Sequence, residues 1–284
     1  MMAQNVTRYV RYETGGQTSF GILDGSTIRQ LTGAPYEGGQ PTGATVPLAN
    51  AKLVVPIDPE RISKVICVVD NYNKPGESRK APHPFLSPKM QTSLITDGES
   101  IEIPPESTTP RHEGSLVIVI GREGRNLSQA GALAHVFGVA VGNDITEAGW
   151  LVREGGNTVP DRILGKAIDT WGPIGNTIVS GLDFTNLGIE TKVNGQVVAQ
   201  GQTTQMINGI APLIHYISHY CTLLPGDLIY TGSPVATAGR EFIKPGDTVE
   251  VTIDGVGSLR NPVVARKRAD PNPFWLKMLA GVQR

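Results

Sequence analysis

An uninterrupted apolar run with charged residues at both ends most constrains how this chain can fold. The run covers residues 116–120, is preceded by Glu113 and Ser115, and is followed by Gly121 and Arg122. An apolar run of this length is typical of a strand that is buried on both faces. Because side chains alternate along a strand, Glu113 and Ser115 point to the same face. A carboxylate beside a buried core needs a cation, so the pattern indicates a charged site.

A second strand repeats this arrangement further along the chain. Residues 139–142 form a small-residue apolar run that ends in Asn143 and Asp144. Two strands that end in acidic residues favour a site for a hard metal ion, because such ions prefer oxygen ligands.

The composition indicates a globular chain. It has 284 residues, of which 39% are hydrophobic and 18% charged, enough for one large core with a small appendage. The formal charge of −1 and the lack of lysine and arginine runs argue against nucleic acid as a partner. No segment approaches the roughly 18 apolar residues of a membrane span, and the N-terminus has no signal-peptide core. Cys67 and Cys221 lie in apolar surroundings typical of buried free thiols, so we expect a cytoplasmic protein with no membrane partner.

Strand signals dominate the chain, and 34 glycines and 21 prolines supply many turns. Residues 7–32 predict short strands around turns, and residues 33–50 have the composition of a linker. Further strands are predicted near residues 64–69, 116–120, 136–142, 189–193, 228–231 and 248–253. We therefore predict a small N-terminal β-rich domain and linker over residues 1–55, and a main domain over residues 56–284.

Two short helices are predicted within the main domain. One runs from Gln129 to His135 with Ser128 as its N-cap, and the other runs from Ile210 to Cys221.

A set of short motifs, in a fixed order and spacing, resembles the fumarylacetoacetate hydrolase family over about Lys64 to Asn261. The motifs are Gly121-Arg122, Gly142-Asn143-Asp144, Gly165-Lys166, Val193-Asn194-Gly195, Gly201-Gln202-Thr203, Leu224-Pro225-Gly226-Asp227, Thr231-Gly232-Ser233-Pro234 and Lys244-Pro245-Gly246-Asp247. The resemblance implies a mixed β-rich α+β fold, with a β-sandwich or β-roll catalytic domain after a small N-terminal β domain. It also implies a homodimer, bound Mg²⁺ or Mn²⁺, and a small-molecule substrate.

The implied substrate is a 2-oxo or 1,3-dicarbonyl acid. Such a compound chelates a divalent ion, which then stabilises the enolate that forms when a C–C bond breaks or a proton leaves. The resemblance assigns Glu113, Ser115 and Asp144 to the three ligand positions, but the family has a glutamate where this chain has Ser115. Because a hydroxyl is a poorer ligand than a carboxylate, we expect weaker ion binding unless the substrate or Glu147 supplies the missing charge.

The family's general base is missing from its expected position. After the Asn-Tyr pair that ends at Tyr72, the family has a histidine and then a glutamate, whereas this chain has Pro75 and Ser78. A histidine–carboxylate pair contributes about 10² to 10⁴ in rate, so its loss argues against efficient hydrolysis by the usual route. Glu77, one position away, and His83, at the far end of the same proposed lid, are the predicted catalytic substitutes.

Lys166 matches the family's Gly-Lys motif and is predicted to hold a ligand carboxylate or the anionic oxygen of the substrate. The alternative is a lysine that extends from an apolar wall. The residues predicted to bind substrate are Tyr72, Lys89, Gln202, Thr203, Thr231, Gly232 and Ser233. For the last three, the alternative is an ordinary turn after a strand. Ala148, Gly149 and Leu164 replace polar residues of the family, which favours a larger and more apolar substrate.

The leading function is therefore metal-assisted C–C bond hydrolysis, decarboxylation or tautomerisation of a 2-oxo or 1,3-dicarbonyl compound through an enolate. Three alternatives stay open. The chain could be a non-hydrolytic isomerase or cyclase acting on a larger apolar substrate, a catalytically inactive binding protein, or a hydrolase with a relocated base.

Overall fold

The computed structural model describes residues 6–151, 163–236 and 242–267, and within these ranges strands are the main regular secondary structure, as predicted. The strands are β1 (Thr7–Thr14), β2 (Gln17–Asp24), β3 (Thr27–Leu31), β4 (Pro41–Pro47), β5 (Lys52–Val54), β6 (Val65–Val69), β7 (Phe85–Lys89), β8 (Leu94–Ile95), β9 (Ile101–Ile103), β10 (Pro110–Arg111), β11 (Gly114–Ile120), β12 (Val136–Asn143), β13 (Thr146–Glu147), β14 (Gly172–Pro173), β15 (Thr177–Ser180), β16 (Gly188–Val193), β17 (Gln196–Gln202), β18 (Leu228–Tyr230), β19 (Thr248–Ile253) and β20 (Gly257–Ala265).

The helices of these ranges are short. Two are α-helices, α1 (Ala148–Leu151) and α2 (Ile210–Tyr220). The others are 3-10 helices at Pro35–Glu37, Leu48–Asn50, Pro59–Arg61, Gln91–Ser93, Ala132–His135 and Thr203–Gln205. The fold is therefore a β-rich α+β fold.

Two sheets organise the described chain. The larger has the order β4-β3-β2-β1-β15-β12-β11-β18-β6-β7, with β5 also paired to β1. The smaller has the order β17-β16-β19-β20-β9. Two further strand pairs, β10 with β13 and β8 with β14, lie outside both sheets. An interior antiparallel pair of the large sheet is β11 and β12, the two strands that have acidic residues at their ends in the sequence.

Strand β11 is buried on both faces, as its apolar run predicted. Leu116, Ile118 and Ile120 face a core that also contains apolar residues of α2 and of the smaller sheet. Val117 and Val119 face a second core on the other side. Gly114 begins the strand at a point where the two sheets lie close together, since a Cβ there would lie 2.3 Å from Thr191 Oγ1. The charged end of β11 is therefore tightly enclosed.

Helix α2 confirms the second predicted helix. Its proline, Pro212, lies in the first turn, where a missing backbone N–H costs little. Leu213, Ile214 and Ile217 form the buried face of α2.

The other predicted helix is reduced to the 3-10 helix Ala132–His135. Ser128 Oγ accepts a hydrogen bond from Gly131 N at 3.2 Å, and this local turn takes the place of a helical first turn. Cys67 is buried as expected, but Cys221 is exposed because it directly follows the end of α2.

Residues 33–50 are more regular than a linker, because they contain β4 and two of the 3-10 helices. The N-terminal strands also extend the large sheet, since β1 pairs with β15 from Thr7↔Ser180 to Val10↔Thr177. No helix of the described ranges is both long and apolar enough to cross a membrane.

Candidate active site

The ends of β11 and β12 bring Glu113 and Asp144 together. In the antiparallel register Gly114 pairs with Asn143, so the two acids leave their strands at the same edge. Asp144 N donates to Glu113 O at 2.9 Å, and Glu113 N donates to Asn143 Oδ1 at 2.9 Å. These backbone contacts fix both carboxylates on one side of the sheet.

Lys166 joins the two carboxylates. Its Nζ lies 2.6 Å from Glu113 Oε2 and 2.6 Å from Asp144 Oδ2. Asp144 and Lys166 are almost fully buried, and the Glu113 side chain keeps 19% of its exposure. An ammonium has three donors, and these two ion pairs use two of them. Among the described residues Lys166 has no further side-chain partner, so one donor is available to a bound molecule.

The charges keep this ion pair ionised. Burial favours the neutral form of Lys166, but the negative charges of Asp144 and Glu113 outweigh it and raise the pKa of the lysine above its ordinary value. Burial also disfavours the charged form of Asp144, yet Lys166 and Lys89 lower the pKa of that carboxyl. The raised pKa of Lys166 favours its charged form, which suits a hydrogen-bond donor better than an amine nucleophile.

Lys89 lies behind Asp144. Its Nζ is 2.9 Å from Asp144 Oδ1, while its hydrogens reach the carbonyl oxygens of Ile145 at 3.3 Å, of Trp171 at 2.9 Å, and of Lys166. Because three carbonyls take the three donors, the contact with Asp144 is mainly electrostatic. Lys89 does not line the cavity, so its substrate-binding role stays a prediction.

A cavity of about 330 Å³ lies in front of Glu113 and Lys166. Its polar wall also includes Arg111, His112, Thr146, Asp70 and Ser233. The rest of the wall is largely apolar and is formed by Val68, Val69, Gly114, Ala148, Ala199, Pro234, Val235 and Ala236. Such a cavity fits a small organic anion with an apolar part.

Three predicted ligand positions do not form a three-carboxylate metal site. Ser115 is buried, and its hydroxyl donates to Leu116 O at 3.2 Å. Glu147, which could have supplied the missing charge, accepts instead from Thr109 N at 3.0 Å and Gly149 N at 3.3 Å. Within the described ranges, no group of three His, Cys, Asp or Glu side chains could hold a metal ion. The donor set therefore fits the family's metal centre poorly.

The turn after β18 contributes one predicted residue to the cavity wall. Ser233 lines the cavity, whereas Thr231 is buried and donates from Oγ1 to Leu116 O at 2.9 Å. Gly232 has a φ of 95°, and a Cβ there would lie 2.9 Å from Val68 O. The glycine thus allows the turn to lie close to the backbone of β6.

Three other predicted substrate-binding residues lie away from this cavity. Tyr72 is buried in the core that contains α2. Thr203 is buried, and its hydroxyl donates to Phe184 O at 3.2 Å and accepts from Leu187 N at 2.9 Å. Gln202 borders a separate surface groove. Their predicted contacts with substrate have no support from their positions.

Glu77 and His83 also do not line the cavity. Glu77 accepts from Lys74 N at 3.2 Å and lies 3.6 Å from Arg79, within its own exposed loop. His83 stacks on Tyr216 with 6.1 Å between ring centroids. The catalytic roles of both residues therefore stay predictions that would require the loop to move.

The sequence interpretation gave no role to Arg111, Thr146 or Asp70, although all three line the cavity. Thr146 Oγ1 lies 3.1 Å from Glu113 Oε2 and helps to orient that carboxylate. Thr146 follows Asp144 by two residues, a spacing that could have been noted. Asp70 directly precedes the Asn-Tyr pair and has a φ of 52°, which turns the chain at the cavity.

Two family models match the chain. The model described as fumarylacetoacetate (FAA) hydrolase C-terminal matches residues 64–264. The model described as Rv2993c-like, N-terminal matches residues 7–56.

Individual proteins are also similar to this chain over most of its length. Protein Rv2993c of Mycobacterium tuberculosis is 36% identical over 87% of this chain and 94% of its own length. The human mitochondrial oxaloacetate tautomerase FAHD2A is 33% identical over 77% of this chain and 71% of its own length. The crystal structure of 5-carboxymethyl-2-hydroxymuconate delta-isomerase from Mycobacterium smegmatis has a TM-score of 0.81 and 33% identity, and the match covers 91% of this chain and 100% of that one.

Proposed function

Because the chain belongs to the fumarylacetoacetate hydrolase family, we propose that it is an enzyme that tautomerises or isomerises a 2-oxo or 1,3-dicarbonyl acid through an enolate. The observation that carries this proposal is the ammonium of Lys166, which is held at 2.6 Å from each of two carboxylates and faces the cavity. The names of the tautomerase and isomerase relatives support the same reaction class.

Lys166 is the electrophile of the proposed reaction. Its free donor binds the carbonyl oxygen of the substrate and stabilises the negative charge that develops there as the enolate forms. Its partners Glu113 and Asp144 hold the ammonium in position before the substrate arrives, so little reorganisation is needed.

Glu113 is the proposed base. Its Oε2 is in contact with Lys166 and Thr146, which leaves Oε1 to take the proton from the carbon next to the carbonyl. The carboxylic acid then returns that proton to the enolate oxygen or to another carbon. One C–H bond breaks and one O–H or C–H bond forms, so the reaction needs no water and no redox partner.

Arg111 gives the substrate its orientation. Arg111 lines the same cavity, and its guanidinium carbon lies 5.9 Å from the ring centre of Phe242. A guanidinium suits a carboxylate because it offers paired donors in one plane. We therefore expect the substrate carboxylate at Arg111 and its carbonyl at Lys166.

Tautomerisation suits this cavity better than hydrolysis. Hydrolysis requires an oriented, activated water, and the lid residues Glu77 and His83 do not border the cavity. The predicted hydrolysis therefore takes second place, whereas decarboxylation, which needs no activated water, stays a prediction. The apolar wall still leaves room for the predicted cyclase alternative on a larger substrate. Mg²⁺ or Mn²⁺, a homodimer and a cytoplasmic location stay predictions from the sequence.

The proposal is tested by following enol–keto interconversion of a 2-oxo dicarboxylic acid through the ultraviolet absorbance of the enol. Lys166→Met should lower kcat/KM by about 10² to 10³, the loss typical of removing one donor to an oxyanion. Lys192→Met is a matched control, because Lys192 pairs with Glu190 in the smaller sheet and does not line the cavity. An unchanged rate in a folded Lys166→Met protein, or a wild type that does not accelerate the reaction, would contradict the proposal.

A further inference from the structure

The family resemblance implies a divalent metal ion, but in this chain the ammonium of Lys166 lies between two of the predicted metal ligands, Glu113 and Asp144. We infer that the ammonium of Lys166 replaces the divalent metal as the positive centre of the site, so that the enzyme works without a bound ion. This inference rests on the proposed function for its catalytic meaning, but its ion-binding part can be measured separately.

Charge balance is the first argument. Four charged groups meet at the edge of β11 and β12, namely the carboxylates of Glu113 and Asp144 and the ammonium groups of Lys89 and Lys166. Their charges already cancel. A dication would add two positive charges that the four groups do not compensate, and the cavity wall contains one further residue of each charge, Arg111 and Asp70. Uncompensated charge in such surroundings is costly, so the cluster disfavours an ion.

The orientation of Asp144 is the second argument. Its Oδ2 faces Lys166 and its Oδ1 faces Lys89, with only 1% of the residue exposed. Lys166 lines the cavity and Asp144 does not. An ion that bound Asp144 Oδ2 would have to displace the lysine.

Ser115 is the third argument. A glutamate at this position would add one negative charge, and the cluster would then have a net charge of −1 that a dication could reverse. Here the position holds a short neutral side chain whose hydroxyl is engaged by the backbone of Leu116. With serine at this position, the predicted ligand set contains two carboxylates instead of three.

The inference predicts how to create an ion site. Ser115→Glu adds the missing carboxylate and should raise the affinity for Mn²⁺ at least about tenfold over the wild type, a change of only about 1.4 kcal/mol. Isothermal titration calorimetry and the electron paramagnetic resonance of Mn²⁺ measure the affinity directly, with and without oxalate as a 2-oxo acid mimic. Ser115→Ala is the matched control, since it changes the hydroxyl without adding charge, and should gain no affinity.

A second variant covers the case in which Ser115→Glu does not fold. Lys166→Met leaves two carboxylates with one ammonium, so Mn²⁺ should bind and raise its melting temperature, while the wild type shows no shift. The inference is overturned if wild-type protein binds Mg²⁺ or Mn²⁺, with or without oxalate, and Asp144→Asn abolishes the binding. It is equally overturned if neither Ser115→Glu nor Lys166→Met gains affinity.

The enol–keto assay in the presence of a metal chelator separates the two proposals. Full wild-type rate in the chelator supports both. A rate that disappears in the chelator and returns with Mg²⁺ overturns the metal-free site but leaves tautomerisation intact. A wild type without activity, with or without ions, overturns the proposed reaction, and the calorimetric result then decides the ion question alone.

Discussion

Two regions of this molecule contain the same set of groups, a cation between two carboxylates, in opposite surroundings. In the cavity, Lys166 lies between Glu113 and Asp144. In the loop after β6, Arg79 lies between Asp70, at 2.8 Å, and Glu77, at 3.6 Å. The side chains of Asp144 and Lys166 are 2% and 1% exposed, whereas those of Asp70 and Arg79 are 64% and 43% exposed.

The difference shows that the contribution of such a charge cluster to stability depends on its burial, and not on the presence of ion pairs alone. Water screens the loop charges and competes for their hydrogen bonds, so they contribute little to stability. Around Lys166 water is largely excluded, and each charge depends on its partner. In the proposed reaction the same exclusion would strengthen the interaction of the Lys166 donor with the enolate.

The largest effect should follow from breaking the buried cluster. Asp144→Asn preserves the shape of the side chain but leaves Lys89 and Lys166 short of negative charge, and should lower the free energy of unfolding by about 3–5 kcal/mol. Urea denaturation followed by circular dichroism measures this loss. Equal stability of Asp144→Asn and the wild type would contradict the distinction between the buried cluster and the exposed loop.

Acid should weaken the same cluster in the wild type. The Asp144 pKa is lowered from its ordinary value of 3.8, so its stabilising effect is complete above pH 3.8 and is lost as the pH falls through the lower folded-state value. The stability gap between wild type and Asp144→Asn should therefore be constant near neutral pH and shrink below 3.8. Urea titrations at stepwise lower pH measure the gap, and a gap that shrinks already around pH 6 would argue against a depressed pKa.

The smallest effect should come from the loop. Glu77→Gln removes one of the two carboxylates around Arg79, and we expect no resolvable change in the urea midpoint, because the group is exposed and screened. The substitution is isosteric in the same way as Asp144→Asn, so the two form a matched pair. A loss comparable with that of Asp144→Asn would remove the distinction between the two regions.

The sequence predicted the framework of the fold well, because buried strands such as β11 and β12 carry long apolar runs. It also predicted that Glu113 and Asp144 belong to one site, since both end such strands. The short helix before β12 was predicted too long, because local capping signals at Ser128 do not ensure a full helical turn.

The partners of these acids were harder to predict. Lys166 came from a resemblance in motif order, and Lys89 behind Asp144 depends on the packing of a distant segment. Glu77 and His83 were predicted because they lie close in sequence to the positions of the family's histidine and glutamate. Closeness in sequence does not determine where a side chain points. Arg111 was missed because nothing in its local pattern indicates a cavity.

The pairing of β1 with β15 has a consequence for how the chain folds. Strands β1, β2 and β3 are neighbours in sequence and can form a meander early, whereas β15 is made much later during synthesis. Until it emerges, residues 7–10 of β1 have an open hydrogen-bonding edge that could recruit another nascent chain, because β5 covers only residues 11–13 of that edge. Completion of the large sheet is therefore a late, long-range step, and the time before it is when this protein is most exposed to misassembly.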